Sequence, residues 1–291
     1  MSKKTRSRLY RVFRFAMLGV WLFVVGFPIY WIVMTSFKPD YEWISWPPVY
    51  WTLSPTLDSY RTVWGATVQR TAAQITLTLQ TPHESLGNSL LISLVSTTIS
   101  VAFGTLLAYG VSRQGILSEV RMFNLLMFRM IPPIVVAVPL TLYYSAIYLL
   151  DTATGVILVY VITTLPYSVW MTKSFVDEVP LEVEQAAAIL GANRWRTFWE
   201  ITLPLIRSGV VATFMFILIL TWSEYLMALI LTKTNMVTLP IQFTKYEGTT
   251  EGRIYGSQAA LAVGTSFPLI IIGIFIRKHL VRGFSFGMVK R

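Results

Sequence analysis

Six apolar runs partition this chain, at residues 15–37, 84–113, 121–150, 155–172, 208–231 and 254–276. Each is close to or above the ~20 residues that cross a hydrocarbon core of ~30 Å. Inside lipid no water is available to backbone amides, so such runs close their hydrogen bonds within helices. The expected architecture is therefore all-α, a polytopic membrane protein with six transmembrane helices. Charged residues make up 13% of the sequence, about half the ~25% usual in soluble domains, which agrees with that architecture. The first run follows Lys3, Lys4, Arg6, Arg8, Arg11 and Arg14. A signal peptide also starts basic, but its apolar stretch is only ~7–15 residues long and ends at small residues. Here the run is longer and ends Met34-Thr35-Ser36-Phe37-Lys38, the pattern of an uncleaved anchor.

Basic residues orient the spans. With the N-terminus inside, seventeen Lys and Arg fall in inner stretches, six in outer ones, and Arg129 within a span. The positive-inside bias then predicts both termini in the cytoplasm. Topology thus accounts for the net charge of +10, and no basic helix interleaved with aromatics points to nucleic acid. The absence of cysteine excludes disulfides, thiolate metal sites and cysteine nucleophiles. The two histidines, His83 and His279, have no second ligand at metal spacing. The segment from Lys38 to Glu84 is rich in Trp, Tyr and Pro (Trp43, Trp46, Pro47, Pro48, Tyr50, Trp51). It reads as an interfacial aromatic belt or as a docking surface for a partner.

The most informative loop joins the fourth and fifth runs, from Asp177 to Pro204. Asp177 is placed to cap a short helix, Pro180 suits its first turn, and the acidic residues that follow complement its N-terminal dipole. Ala186, Ala187 and Ala188 favour helix with little bulk, and Gly191 is placed to end it. Asn193 is expected to cap a second short helix that Pro204 bounds. Two short helices meeting at a glycine, with an alanine face, suit insertion into a groove on another protein; an ordinary helical hairpin is the alternative.

The order Ala-Ala, three residues, Gly, nine residues, Ile-x-Leu-Pro, carried by Ala186, Ala187, Gly191, Ile201, Leu203 and Pro204, resembles the "EAA" loop of ABC importer permeases. Two departures stand out. The family's glutamate before Ala-Ala is Gln185, with Glu184 one place earlier, and its usual Asp before the glycine is Leu190. Further likenesses point to the carbohydrate branch. They are Asn88-Ser89-Leu90, the prolines Pro132, Pro133 and Pro139, Trp222-Ser223-Glu224-Tyr225, and a C-terminal tail similar to that of smaller maltose-type permeases, including Gly283, Gly287 and Lys290.

The resemblance implies the type I ABC importer permease fold in a bacterial inner membrane, importing a sugar, polyol or related solute such as glycerol or glycerol phosphate. It implies a heterodimer with a second homologous permease, an ATPase dimer and a solute-binding protein that is periplasmic or lipid-anchored. The loop would seat in a cleft of the ATPase through Glu184, Gln185, Ala186, Ala187, Gly191, Ile201, Leu203 and Pro204, and the tail would approach the ATPase interface. This chain would bind no cofactor, ATP and Mg being held by the partner. The implied divisions are a basic N-terminus (1–14), a first span (15–37), an outer segment (38–84), a permease core (85–280) containing the coupling loop (177–204), and a tail (281–291).

Charges within spans usually face a cavity or a partner, because burying one in lipid costs ~2.5–3.5 kcal/mol on insertion scales. Arg129 and Glu224, with Pro132, Pro133, Trp222 and Tyr225, are therefore candidates for the solute path. Helix-to-helix hydrogen bonding without solute contact is the alternative. Six spans with no internal repeat argue against a self-sufficient ion-driven carrier. The absence of a Gly-Lys dipeptide excludes a P-loop, and no H-E-x-x-H or G-x-S-x-G motif supports a membrane enzyme. An ABC importer for a non-carbohydrate solute stays open.

Overall fold

The computed structural model describes residues 3–65, 81–128, 132–244 and 254–285, and no strand occurs among them. In chain order the helices are α1 (Lys3–Phe37), α2 (Asp58–Trp64), α3 (Pro82–Gln114), α4 (Glu119–Phe128), α5 (Pro133–Ala146), α6 (Ala153–Asp177) and α7 (Leu181–Ile189). There follow α8 (Arg194–Thr197), a π-helical turn (Phe198–Thr202), α9 (Leu203–Trp222), α10 (Leu226–Leu231), α11 (Leu239–Thr244) and α12 (Tyr255–Ser285). Among the described residues five stretches are long and apolar enough to cross a membrane: Tyr10–Phe37, Pro82–Gln114, Ala153–Asp177, Arg194–Trp222 and Tyr255–Phe275. The third expected run carries α4 and the shorter apolar helix α5, which Pro132 caps and Pro133 opens. A proline lacks an amide donor and disfavours helix in the residue before it, so a helix readily starts there. The fifth expected run is not one helix. It breaks at Ser223–Tyr225, where the Glu224 carboxylate accepts from the Met227 amide (3.1 Å) and so opens α10.

The chain divides into two units, Met1–Ile75 with Phe243–Phe267, and Thr76–Gln242 with Pro268–Arg291. In the first, the segment after α1 folds back along it. Tyr30 donates to the Tyr50 carbonyl (2.7 Å), and Ser36 meets the Tyr60 hydroxyl (2.9 Å). Lys38 is buried with its ammonium 4.0 Å from the Trp31 ring centre and bonded to the Val49 carbonyl. Trp64 donates to the Ala260 carbonyl (3.3 Å). The aromatic segment divides its residues: Trp46 stands 90% exposed, while Trp43 packs against Gly256.

In the second unit α3, α6 and α9 pack on one another. The buried face of α3 carries Ser89, Ser93, Ser96, Ser100, Gly104 and Ala108, three and four residues apart and hence on one side of a helix. Small side chains let helix backbones approach in lipid, and their hydroxyls bond across the seam. Thr164 donates to Ser100 (3.0 Å), and Thr97 meets Thr221 (3.0 Å). Gly209 of α9 is needed for the same reason, since a Cβ there would lie 2.2 Å from the Phe175 ring. At one end of this core Asp151, in the turn between α5 and α6, accepts from the amides of Lys233, Thr234, Asn235 and Met236 at 3.0–3.2 Å. Burial pushes its carboxyl pKa up, and the four amides outweigh this, holding it below the usual aspartate range.

Candidate functional site

The opposite end of the core carries the loop between α6 and α9. Pro180 occupies the N-cap position of α7, and Asp177 does not cap it. Asp177 instead ends α6 and holds Lys173 (2.5 Å) and Ser112. The difference is one of reach: helix α6 runs five residues past Thr172, so the carboxylate is spent before α7 begins. Helix α7 closes as its glycine requires. Gly191 has φ +86°, its amide bonds Ala188 O and that of Ala192 bonds Ala187 O, both at 3.0 Å, the pair of bonds that defines a Schellman cap. No atom lies within 4 Å of a Cβ placed at Gly191, so backbone conformation alone demands glycine there. Asn193 then caps α8 by accepting from the Arg196 amide (2.8 Å).

Pro204 does not bound α8. The chain passes through the π-turn Phe198–Thr202 directly into α9, with the Leu203 amide reaching Phe198 O and Pro204 in the first turn of α9. A proline would clash with the carbonyl four residues back in a regular α-helix, and the wider turn ahead of it accommodates the ring. Helix α8 and the span are therefore one helical path.

Helix α7 presents two unlike faces. Outward, Ile189 and Leu190 are each 86% exposed, joined by exposed Leu181, Trp195 and Trp199. Gln185, Ala186 and Ala188 are also exposed. Inward, Ala187 is 7% exposed, so this alanine packs on the chain's own core. Glu184 points inward too. Its Oε1 accepts from Arg113 Nε (3.0 Å) and Thr202 Oγ1 (2.9 Å), and its Oε2 from the Tyr109 hydroxyl (3.4 Å). Both side chains of the ion pair are only 10% exposed. Arg113 Nη2 also donates to the carbonyls of Val176 and Val179, each at 2.9 Å. Beneath lie Tyr109, Val176, Val179, Phe198 and Ile206, one apolar cluster. Ile201 and Leu203 are half-buried and Pro204 exposed. The motif Ile-x-Leu-Pro thus contributes through its unspecified position, Thr202. Sequence reading used Arg113 only as a topological charge and did not single out Tyr109, Thr202 or Asp151; Thr202, between Ile201 and Leu203, was the one signal at hand.

Three candidates for the solute path, Trp222, Glu224 and Tyr225, lie at the break after α9. Trp222 is buried and Tyr225 borders on exposure, and Tyr160 donates to Glu224 O (3.2 Å). Tyr144 of α5 shares a core with Met227, Ala228 and Leu231 of α10, which brings the helix opened by Pro132 and Pro133 beside this break. Gly283 lies in α12. Arg129, Gly287 and Lys290 lie outside the described residues.

Comparison with known proteins adds to this geometry. Residues 100–286 match the family described as binding-protein-dependent transport system inner membrane component. The inner membrane ABC transporter permease protein YcjP of Escherichia coli is 30% identical over 99% of this chain and 99% of its own length. The trehalose transport system permease protein SugB of Mycobacterium tuberculosis is 30% identical over 92% of this chain and 94% of its own. In fold, the chain is similar to one in the crystal structure of a bacterial ABC transporter involved in the import of the acidic polysaccharide alginate. The TM-score is 0.73 at 18% identity, covering 96% of this chain and 99% of that one.

Proposed function

The chain belongs to the family of binding-protein-dependent transport system inner membrane components, and on that premise we propose that it imports a sugar or related polyhydroxylated solute by coupling to a separate ATPase. The observation that carries this reading is the loop 181–204, where the apolar outward face of α7 lies beside α8, the short helix that continues into the span α9. Exposed apolar side chains on a folded surface mark a place where a partner belongs. The unbroken helical path from α8 into the membrane gives the partner a lever. The similarity to a trehalose permease supports a carbohydrate as solute. In this reading both termini and the loop are cytoplasmic, a second permease completes the path, and a binding protein delivers solute from outside.

Ile189→Asp tests the docking face. The side chain is 86% exposed, so folding should change by no more than ~0.5 kcal/mol. A charge in a fitted apolar contact should lower recovery of the chain with its ATPase, and solute uptake with it, by roughly tenfold or more. Unchanged recovery and uptake would show that α7 is not the docking element.

A further inference from the structure

We propose that the Glu184–Arg113 pair is the joint through which movement of α7 reaches the membrane helices, and that it stays closed throughout the transport cycle. The inference rests on the importer reading above and assigns the transmission to a particular contact within this chain. Docking explains only the outward face of α7. Three observations concern its inward side.

First, one carboxylate gathers three elements. Glu184 of α7 is held by Tyr109 and Arg113 of α3 and by Thr202 of the π-turn leading into α9. Second, Arg113 extends the grip to a fourth. Its Nη2 holds the carbonyls of Val176 and Val179, at and just beyond the C-terminal end of α6, where unpaired helix carbonyls favour a cation. Its remaining nitrogen reaches Ser112 (3.2 Å), so every arm of the guanidinium is engaged. Third, the pair is shielded from water, each side chain 10% exposed above the apolar cluster of Tyr109, Val176, Val179, Phe198 and Ile206. Charged hydrogen bonds in such a setting are stronger than neutral ones and are costly to leave unmade. A second ion pair of the loop differs in each respect: Arg196 and Glu200 are about 60% exposed and bridge one turn of a single helix, an arrangement that contributes little.

A displacement of α7 therefore carries α3, α6 and the start of α9 with it. The joint also explains how a loop with Gln185 in the family's glutamate position can still transmit force, since the working carboxylate is the neighbouring one and faces its own chain. Glu184 and Arg113 act here as positioning residues. They touch neither solute nor nucleotide.

The test uses the whole assembly, with both permeases, the ATPase and the binding protein, in proteoliposomes, and reads solute imported per ATP hydrolysed. Glu184→Gln keeps the side chain's shape and removes its charge. It should assemble and hydrolyse ATP, while solute per ATP falls by about tenfold. A wild-type ratio in this variant overturns the proposal. Because the chain has no cysteine, the double variant Arg113→Cys/Glu184→Cys gives a second arm. The reduced pair should be uncoupled, and a short bifunctional thiol reagent joining the two positions should restore the ratio. Loss of transport on cross-linking, with ATP hydrolysis intact, would mean that the joint has to open and overturns the proposal. Should Glu184→Gln fail to assemble, the cross-linked pair decides alone. A wild-type chain that never associates with an ATPase would instead refute the importer reading, which is a different result.

Discussion

A carboxylate pins a loop at each end of the α3–α6–α9 core, and the two are built in opposite ways. Asp151 takes its bonds chiefly from four consecutive backbone amides, Lys233 to Met236, with one more from the Thr234 hydroxyl (3.2 Å). Glu184 takes its bonds from side chains, those of Arg113, Thr202 and Tyr109. Backbone donors are fixed by the turn that presents them and cannot be mutated away, so the Asp151 pin holds one loop in one shape. Side-chain donors come from separate elements, so the Glu184 joint binds helices together. The first arrangement suits a fixed fitting, the second a part that transmits movement.

The sharpest way to break this contrast is to remove the cation. Arg113→Ala leaves Glu184 buried with no counter-charge, a loss expected to cost about 3–5 kcal/mol. It should be read in the unfolding midpoint of the purified chain in detergent and in earlier proteolysis of the loop around residue 190. If Arg113→Ala proves no more damaging than the corresponding change at the other end, the two pins are equivalent and the contrast fails.

That corresponding change is Asp151→Asn. One acceptor oxygen survives, while the new amide group faces donors, an expected loss of about 1–3 kcal/mol. The effect should depend on pH in a set direction. The folded-state pKa is held below the usual aspartate value, so the stabilising contribution is complete above the unfolded value of about 3.9. It is lost as pH falls through the lower folded value. The difference in midpoint between wild type and Asp151→Asn should thus be constant near neutrality and shrink in acid. In the assembled transporter this variant should leave solute per ATP unchanged, which separates it from changes at Glu184.

The smallest expected effect is at Gly191. Alanine there meets no neighbour within 4 Å but has to hold φ +86°, at about 1–2 kcal/mol. The loop should loosen without the core being touched, visible as faster amide exchange in α7 and an unchanged global midpoint.

The features legible in the sequence are those whose causes lie within a few residues. Gly191 and Asn193 announce their caps because the amides they serve stand one to three positions away. The spans are legible because apolar length alone decides them. Pro204 misled because a proline ordinarily bounds a helix, and nothing local shows that the π-turn ahead makes room for its ring. The break at Ser223–Tyr225 was hidden by apolar residues continuing beyond it. Arg113 could not be matched to Glu184 across 71 positions, since many carboxylates are equally eligible without a fold. Asp151 had almost no side-chain signature to match, because apart from the Thr234 hydroxyl its partners are amides that every residue but proline carries.

The π-turn before α9 has a consequence that is one of phase. Such a turn holds about one residue more than an α-helical turn, and one residue in an α-helix is ~100° of rotation. The compass bearing of α8, and of Trp195 on it, is therefore set by the count of residues between Thr197 and Leu203. A single deletion in that stretch would leave Ile189 and Leu190 on α7, which Arg113 holds, yet aim Trp195 a quarter-turn away from them.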